Sequence, residues 1–400
     1  MSGPWISGAI ALCSIVAAEV VRDGYHWLGH TCQPFRSWHY VHHKVFRADL
    51  TPVNEDIYRW AEWVNDVPEA LAMIVLTGLG GAVLWGQWHI PTGFVGSLYA
   101  GFFLLAAIAR GLGYGKFTDF SHRPGPLTTP PIHWWVNRTY HWRHHFDRGE
   151  AYYSGTFTLV DKILGTSLSL KNKTVAVTGA SGTLGRALLR ELQRRGARPV
   201  ALTHSPQSDF AEIAPDLPVH RWQMGQEESL RSLFETTDIL ILNHGINVMG
   251  RRDPAAIQLS FEVNAWSHLR LLDLFLATVQ TSRDRACKEV WFNTSEAEVS
   301  PAFSPLYELS KRAVGQLVTL RRLDAPCTIR KLILGPFRSS LNPYGVMSGD
   351  WVAQAVLFWA VRGFRDIIVT VNPLTYLLFP LSETLRALYF RWFSHREKAC

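Results

Sequence analysis

The stretch Thr174-Val-Ala-Val-Thr-Gly-Ala-Ser-Gly-Thr-Leu-Gly185 decides the fold of the second half of this chain. It opens with small and β-branched apolar residues, which are typical of a buried strand. Glycines then recur at every third position, and a helical pattern over Arg186–Arg195 follows them. Glycine lets a backbone approach a pyrophosphate at the N-terminus of a helix. The stretch therefore predicts a strand, a phosphate-binding turn and a helix.

Further strand and helix patterns alternate downstream of this turn. Apolar runs at Pro199–Thr203, Asp238–Leu242 and Glu289–Phe292 predict three more strands. Such alternation predicts an α/β fold with a parallel, doubly wound sheet of the Rossmann type. We place this domain at residues 172–345 and treat residues 346–400 as a C-terminal extension.

A candidate proton-transfer site lies in the same half. Tyr307 and Lys311 are four residues apart, so they share one face of a helix. A neighbouring ammonium favours the phenolate and lowers the tyrosine pKa, which makes Tyr307 a usable acid or base. Ser295 follows a predicted strand and can hydrogen-bond a substrate oxygen. Other polar candidates near strand ends are Asn243, Gly245 and Asn264.

From about residue 173 to 345 the chain resembles the short-chain dehydrogenases/reductases. The resemblance implies that Tyr307 relays a proton, Lys311 tunes it and holds the cofactor ribose, and Ser295 orients a carbonyl. The implied catalytic set is Ser295, Tyr307, Lys311 and Asn264. The implied cofactor-binding set is Thr178, Gly179, Ser181, Gly182, Leu184, Gly185, Arg186, Asn243, Gly245, Tyr307 and Lys311.

The chain departs from the commoner pattern of these enzymes at several positions. The turn has the form G-x-x-G-x-x-G, which is similar to the extended branch of the family. His244 stands where alanine is usual, Gln223 stands where an adenine-contacting aspartate is usual, and Gly335-Pro336 inverts a usual Pro-Gly.

The second strand indicates the nucleotide. No acid follows Thr203, where an aspartate would hold a ribose 2′-hydroxyl. Three side chains suit a 2′-phosphate instead, namely Arg186, His204 and Ser205. The expected cofactor is therefore NADP(H) in preference to NAD(H).

The first half is organised around three tight histidine groups. They are His26 and His30, then His39, His42 and His43, and then His141, His144 and His145. Helical neighbours three or four residues apart share one face, so each group can aim its imidazoles at one point. Eight converging imidazoles are too many for one ion and suit a pair of first-row metals such as iron or zinc.

Apolar runs at Gly3–Val21, Val67–Trp85 and Ile90–Ile108 are close to the roughly 20 residues that a bilayer helix needs. Lys and Arg are absent from the N-terminal tip and from the turn Gly86–His89, and they cluster on the other side. The positive-inside tendency therefore predicts an integral membrane protein whose histidine groups and C-terminal domain are cytoplasmic. A buried soluble bundle is the alternative. The net charge of +7 does not indicate nucleic-acid binding, because the basic residues follow membrane sidedness.

From about His26 to Thr166 the chain resembles the fatty acid hydroxylase/sterol desaturase superfamily. The similarity includes the histidine groups, the lone His122 and the closing stretch Tyr152–Thr166, whereas His89 and His133 match nothing. It implies two Fe ions, O2 and an external electron donor of the ferredoxin or cytochrome b5 kind, acting on a C–H bond of a lipid. The implied metal ligands are His26, His30, His39, His42, His43, His122, His141, His144 and His145.

Together the halves resemble fused sterol desaturase/short-chain dehydrogenase proteins, with the membrane domain at residues 1–168. We expect a bifunctional lipid oxidoreductase that hydroxylates or desaturates a lipid and interconverts an alcohol and a carbonyl. Two alternatives stay open: a chain with one catalytic half, such as a membrane-anchored NADP-dependent reductase, and an aldehyde-processing protein of the wax-alkane type. For the tail Trp351–Cys400, an interfacial helix and ordinary domain core are equally open.

Overall fold

The chain divides near Leu168 into a helical first unit and an α/β second unit in this computed structural model, which describes residues 3–395. The first unit comprises residues up to 127 and residues 131–167, and the second comprises 128–130 and the rest. The chain passes from the first unit to the second between residues 167 and 168, one residue before the predicted boundary.

Three helical stretches of the first unit are long and apolar enough to cross a membrane, each with a mean hydropathy of 1.8. The first is α1 (Pro4–Thr31). The second is continuous and consists of α3 (Glu55–Ala61), a π-helical turn (Glu62–Asp66) and α4 (Val67–Trp88). The third is α5 (Val95–Gly111) with its preceding 3-10 turn. All three exceed the predicted apolar runs. Gly96 lets α5 approach α1 closely, because a Cβ there would lie 2.2 Å from the Ser14 carbonyl oxygen.

Short helices of the first unit carry most of the remaining histidines. These helices are α2 (Phe35–His43) and α6 (Arg138–Phe146), whereas the last helix of the unit, α7 (Leu159–Leu164), carries none. Asn137 caps α6 by accepting a hydrogen bond from the Tyr140 amide, and this fixes where the helix that carries the third histidine group begins.

The second unit is built on a seven-stranded parallel sheet, which confirms the predicted Rossmann-type fold. Its strands, in the spatial order β3-β2-β1-β4-β5-β6-β7, are β1 (Thr174–Thr178), β2 (Arg198–Thr203), β3 (Val219–Arg221), β4 (Ile239–Leu242), β5 (Glu289–Asn293), β6 (Thr328–Leu334) and β7 (Asp366–Val369). The order reverses between β1 and β4, and a ligand crevice forms at such a reversal, outside the carboxyl ends of the strands.

Helices cover both faces of this sheet. They are α8 (Thr183–Arg194), α9 (Arg231–Thr236), α10 (Pro254–Phe261), α11 (Ser267–Ala277), α12 (Ser282–Cys287), α13 (Pro305–Arg322), α14 (Gly349–Val361) and α15 (Thr375–Phe393). On one face Leu188 of α8 and Val356 of α14 are fully buried in the same core. On the other face Phe275 of α11 and Val314 of α13 are fully buried.

The predicted C-terminal extension differs from the structure. Residues 346–400 are not a separate extension, because α14 and β7 complete the sheet and its core; residues 396–400 lie outside the described part of the chain. Leu168 and Leu170, which precede β1, are buried in the core of the second unit.

Candidate active site and candidate metal centre

The turn after β1 has room only for glycine at two positions. Gly179 has a φ of +61°, and a Cβ there would lie 2.8 Å from the Cα of His244. A Cβ on Gly185 would lie 2.2 Å from the carbonyl oxygen of Gly179. No side chain caps α8 at Gly182, so its first amides can bind a phosphate. The turn therefore has the build of a dinucleotide-binding turn.

The other predicted side chains of the turn face the protein. Thr178 is buried, and its Oγ1 accepts hydrogen bonds from the Asn243 amide at 2.8 Å and lies 2.9 Å from His244 Nδ1. Thr178 thus holds the loop after β4 in place. Leu184 packs in the core, and Ser181 Oγ lies 3.2 Å from Thr203 Oγ1.

Ser295, Tyr307 and Lys311 meet at the carboxyl end of β5. Ser295 follows that strand and hydrogen-bonds Tyr307 on α13. Lys311, one turn further along α13, donates from Nζ to the carbonyl oxygen of Asn293 at 2.9 Å, and its Nζ lies 6.0 Å from the Tyr307 ring centroid. The predicted trio is thus assembled, and its catalytic role stays a prediction.

The electrostatics of the trio differ from the sequence-based expectation. Burial raises the pKa of Tyr307, and its hydrogen bond to Ser295 opposes that rise. Burial also lowers the pKa of Lys311 to about 8, against an opposing effect of Glu298. The expected lowering of the tyrosine pKa by the lysine does not dominate in this structure.

Asn264 lies in a π-helical turn, Glu262–Trp266, between α10 and α11. Its Oδ1 accepts from the Ile246 amide at 2.9 Å, and its Nδ2 donates to the Ile246 carbonyl at 3.0 Å and to Ser310 Oγ at 3.0 Å. These contacts position the Asn243–Gly245 loop beside α13. Asn243 itself accepts a hydrogen bond from Asn293 at 2.9 Å.

Sequence reasoning missed two groups around this site. His244 and His268 stack with centroids 3.8 Å apart, and burial together with Lys311 lowers the pKa of His244 to about 3. Glu296 is buried and accepts hydrogen bonds from Thr370 and Thr375. The acid at position 296, directly after the predicted catalytic serine, was the available signal.

The first unit brings all nine predicted metal ligands into two neighbouring groups. The first group is His26, His30, His39, His43 and His144, and the second is His42, His122, His141 and His145. The rings of His43 and His145, one from each group, have centroids 4.7 Å apart. His89 and His133 belong to neither group.

Every close contact between these histidines joins two Nε2 atoms. In the first group His144 Nε2 lies 2.8 Å from that of His26 and 3.1 Å from that of His30. In the second group His141 Nε2 lies 2.9 Å from that of His122. Gly29 makes room for α2, because a Cβ there would lie 2.8 Å from His39 Cβ.

Several outward-facing ring nitrogens are held by the surrounding protein. Nδ1 of His39 lies 2.9 Å from Asn65 Oδ1, Nδ1 of His122 lies 2.8 Å from Asp119 Oδ1, and Nδ1 of His144 lies 2.8 Å from the Ala151 carbonyl oxygen. Metal-bound histidines usually have such partners, which fix the tautomer. Burial lowers the pKa of His39 to about 4 and that of His43 to about 2, so both are neutral and able to bind a cation.

The donor set fits transition-metal ions. With metal–nitrogen bonds of about 2.0–2.1 Å, neighbouring ligand atoms lie roughly 3 Å apart in tetrahedral or octahedral geometry. The Nε2 pairs above are separated by 2.8–3.1 Å. Imidazole nitrogens suit iron, zinc and copper alike, so the geometry supports a two-metal site without choosing the element.

Comparison with known proteins identifies the family. Residues 175–319 match the NAD dependent epimerase/dehydratase family. Over 99% of its length, the chain is 52% identical to the monoglucosyldiacylglycerol epimerase of Synechocystis sp., and the alignment covers 100% of that protein. The chain belongs to the family of this epimerase. It is accordingly an enzyme of the epimerase/dehydrogenase kind, with a nicotinamide dinucleotide-binding fold in its second unit.

Two further proteins are similar to part of this epimerase-family chain. An 11-beta-hydroxysteroid dehydrogenase A from Sesamum indicum is 28% identical over 40% of the chain and 51% of its own length. A short-chain dehydrogenase from Burkholderia cenocepacia, solved in complex with NADP, is 19% identical and covers 57% of the chain and 100% of its own, with a TM-score of 0.46.

Membership of the epimerase family corrects the expected identity of the whole chain. The full-length relative is an epimerase and not a sterol desaturase fusion. The predicted short-chain dehydrogenase-like half is supported, whereas the hydroxylase-like character of the first half, its iron and its place in a membrane stay predictions.

Proposed function

We propose that this chain is an epimerase that inverts one hydroxyl-bearing carbon in the sugar of a glycosylated diacylglycerol. The full-length similarity to an enzyme named for that activity carries the proposal. The assembled Ser295, Tyr307 and Lys311, next to a dinucleotide-binding turn, supply the chemistry that such a reaction needs.

In the proposed reaction the alcohol becomes a ketone and is then reduced from its opposite face, so the inversion involves no net oxidation. A nicotinamide nucleotide held at the Gly179–Gly185 turn would supply reversible hydride transfer when bound. Tyr307 would accept the hydroxyl proton as the ketone forms and give it back as the alcohol forms again, so protons balance within the site. Ser295 would donate a hydrogen bond to the same substrate oxygen, and Lys311, held by the Asn293 carbonyl, would hold the ribose.

The preferred nucleotide of this epimerase is NADP(H). The strand β2 ends without an acid, and Arg186 stacks 5.0 Å from the centroid of Phe210 on the nearby loop. Arg186 is paired with Glu212 at 2.8 Å, so a 2′-phosphate would compete with a carboxylate for it. The preference over NAD(H) is therefore expected to be modest.

The substrate is a membrane lipid, and the three long apolar helices would hold the enzyme in the bilayer where that lipid resides. The distribution of Lys and Arg favours a cytoplasmic second unit. A reporter fused after residue 395 should then be cytoplasmic, and one inserted at Gly86–His89 should be on the opposite side.

The test uses purified full-length protein in lipid nanodiscs with monoglucosyldiacylglycerol deuterated at its hydroxyl-bearing ring carbons, and catalytic amounts of NADP+. The sugar should change configuration at one carbon and keep its deuterium, and reduced nucleotide should not accumulate stoichiometrically. Tyr307→Phe should lower the rate by about 10²–10⁴-fold. Tyr344→Phe, at a side chain that is 92% exposed, is the matched control.

Two results would overturn the proposal. One is an unchanged sugar with nucleotide consumed in proportion to lipid, which is the behaviour of a simple dehydrogenase. The other is replacement of the carbon-bound deuterium by solvent hydrogen, since that requires proton removal from carbon and not hydride transfer.

A second candidate function belongs to the first unit, where nine imidazoles converge in two groups. We propose that these residues hold two Fe ions, which when bound would supply O2-dependent oxidation of a lipid C–H bond. A ferredoxin- or cytochrome b5-like donor would deliver the electrons. The chain's own contribution is to keep the ligands neutral and oriented through Asn65, Asp119 and the Ala151 carbonyl.

Isotopically heavy dioxygen tests this candidate in iron-loaded protein with a reduced donor. Hydroxylation puts heavy oxygen into the lipid, whereas desaturation forms a double bond and leaves the heavy oxygen in water. His42→Ala should abolish either product, and His89→Ala should not. Unchanged lipids in the presence of bound iron and active donor would refute the candidate and leave the epimerase proposal intact.

A further inference from the structure

The last helix of the second unit, α15, exposes an unusual amount of apolar surface. Nine of its large apolar side chains are exposed, namely Tyr376, Leu377, Leu378, Leu381, Leu385, Leu388, Tyr389, Trp392 and Phe393. Helix α13 has 18 residues against 19 in α15, yet among the described residues it exposes Leu309 alone of this type. Apolar patches of this extent usually mark a membrane or protein contact.

The inward face of α15 carries two polar side chains, Thr375 and Glu383, beside the buried Phe379, whereas the usual helix on a soluble domain turns its apolar face inward. Glu383 is buried and accepts hydrogen bonds from Thr319 at 2.9 Å and from Lys331 Nζ at 2.9 Å. Thr375, at the start of the helix, is buried and donates to Glu296 at 2.5 Å. A helix with polar groups inside and leucines outside is suited to an apolar surrounding.

The composition of the outer face favours lipid over protein as that surrounding. Tyr and Trp are enriched where a protein meets the bilayer interface, and Tyr376, Tyr389 and Trp392 are more than half exposed. The exposed Arg391 lies among them and can meet anionic headgroups. The same chain also carries three helices long and apolar enough to bring it to a bilayer.

We propose that α15 lies in the plane of the membrane interface, with its leucine face among the lipids. The second unit then binds the bilayer through a surface of its own. Glu296 accepts a hydrogen bond from Thr375 of α15, and it directly follows Ser295 in the sequence. The helix is therefore anchored beside the loop that carries Ser295. If the proposed function holds, this anchoring brings the Ser295 loop to the level of the sugar headgroups.

Spin labels test the membrane contact independently of any activity. Full-length protein with Cys13, Cys32 and Cys400 replaced by serine is labelled at Leu381→Cys or Leu388→Cys, and at Glu228→Cys as an exposed control. The protein is placed in nanodiscs of phosphatidylcholine and phosphatidylglycerol. Labels on α15 should be relaxed mainly by O2, which concentrates in lipid, and the control label mainly by a water-soluble nickel chelate.

Equal access of the nickel chelate to α15 and to the control would overturn the proposal. A second outcome is spin–spin broadening on α15 that disappears on dilution with unlabelled protein, together with protection from both relaxing agents. This result would show that a second copy of the chain covers the face, and it would also overturn the proposal. Retained nucleotide binding shows that each labelled protein is folded.

A paired substitution gives a functional readout that rests on the proposed epimerase activity. The double substitution Leu381→Glu and Leu385→Glu places two charges on the outer face of α15. It should lower the rate on bilayer lipid by about tenfold, because the charged face no longer binds the membrane interface. The rate on a short-chain glycolipid dissolved in water should be unchanged. Equal loss on both substrates would contradict the membrane role, whereas absence of activity on both in the unsubstituted protein would instead refute the proposed function.

Discussion

The two units of this chain hold their reactive side chains by opposite means. In the second unit Lys311 and Asn264 are fixed by backbone groups at the end of a sheet whose core is fully buried. In the first unit the histidines contact one another through their Nε2 atoms, and the closest pair is 2.8 Å apart. Two neutral imidazoles can share only one hydrogen in such a contact. The close packing of four or five imidazoles is therefore favourable when a cation accepts their Nε2 lone pairs. The candidate active site is thus organised by the fold, whereas we expect the histidine centre to depend on a bound cation.

The substitution His144→Ala should separate the two units most strongly. His144 is fully buried and contacts both His26 and His30, so its loss should release the ion of the first group. Metal analysis should show about one ion fewer, and hydrogen exchange should rise at the end of α1 and in α6. Nucleotide binding by the second unit should not change. His89→Ala is the control, and equal loosening of the sheet would show that the two sites are not organised separately.

A smaller effect is expected from Asp119→Asn. Asp119 holds Nδ1 of His122 at 2.8 Å, and removal of such a partner lowers metal affinity by about 10–100-fold. Competition with a chelator should show this loss for one of two ions only, because Asp119 contacts the second group alone. The exposed Asp56→Asn serves for comparison. Equal loss of both ions would mean that the groups bind cooperatively.

Nucleotide affinity of the second unit should depend on pH through Lys311. Burial lowers its pKa to about 8, so the ammonium is charged below that pH and is lost as the pH rises through it. Nucleotide binding should therefore weaken above about pH 8, by at most about tenfold per pH unit for one linked proton. Lys311→Arg keeps the charge and should flatten the profile. A wild-type profile that stays flat would show that Lys311 does not contact the nucleotide.

The smallest expected effect concerns Glu212. Its ion pair with Arg186 is partly exposed, and such pairs contribute about 0.2–1 kcal/mol. Glu212→Gln should free Arg186 and strengthen NADP(H) binding by a few-fold, with NAD(H) binding unchanged. Glu228→Gln, an exposed acid elsewhere, controls for net charge. Titration with both nucleotides measures the difference, and a parallel gain for NAD(H) would place Arg186 away from the 2′-phosphate.

The sequence predicted mainly the features that depend on the spacing of residues within a short segment. The Gly179–Gly185 turn, the four-residue step from Tyr307 to Lys311 and the histidine groups each lie within one strand, turn or helix. The meeting of the three histidine groups and that of Ser295 with Tyr307 both required folding beyond one element. Shared helix faces made the first expectation possible, and the family resemblance made the second.

The features that escaped prediction depend on contacts between distant parts of the chain. Glu296 is held by Thr370 and Thr375, which lie 74 and 79 residues later. The π-helical turn at Asn264 inserts one extra residue into a helical turn, and the amino-acid composition of the segment does not indicate it. From composition alone, helix α15 could be either a core helix or an interfacial helix, and only the structure shows that Thr375 and Glu383 point inward beside Phe379.

The close approach at Gly185 has a consequence for reading related genomes. Any side chain there would put carbon 2.2 Å from the Gly179 carbonyl oxygen, so the turn cannot keep its shape with another residue. A homologue with alanine at this position has either rebuilt the turn or given up the nucleotide. One codon therefore offers a simple screen that separates gene copies able to keep this turn from those that have diverged to another use.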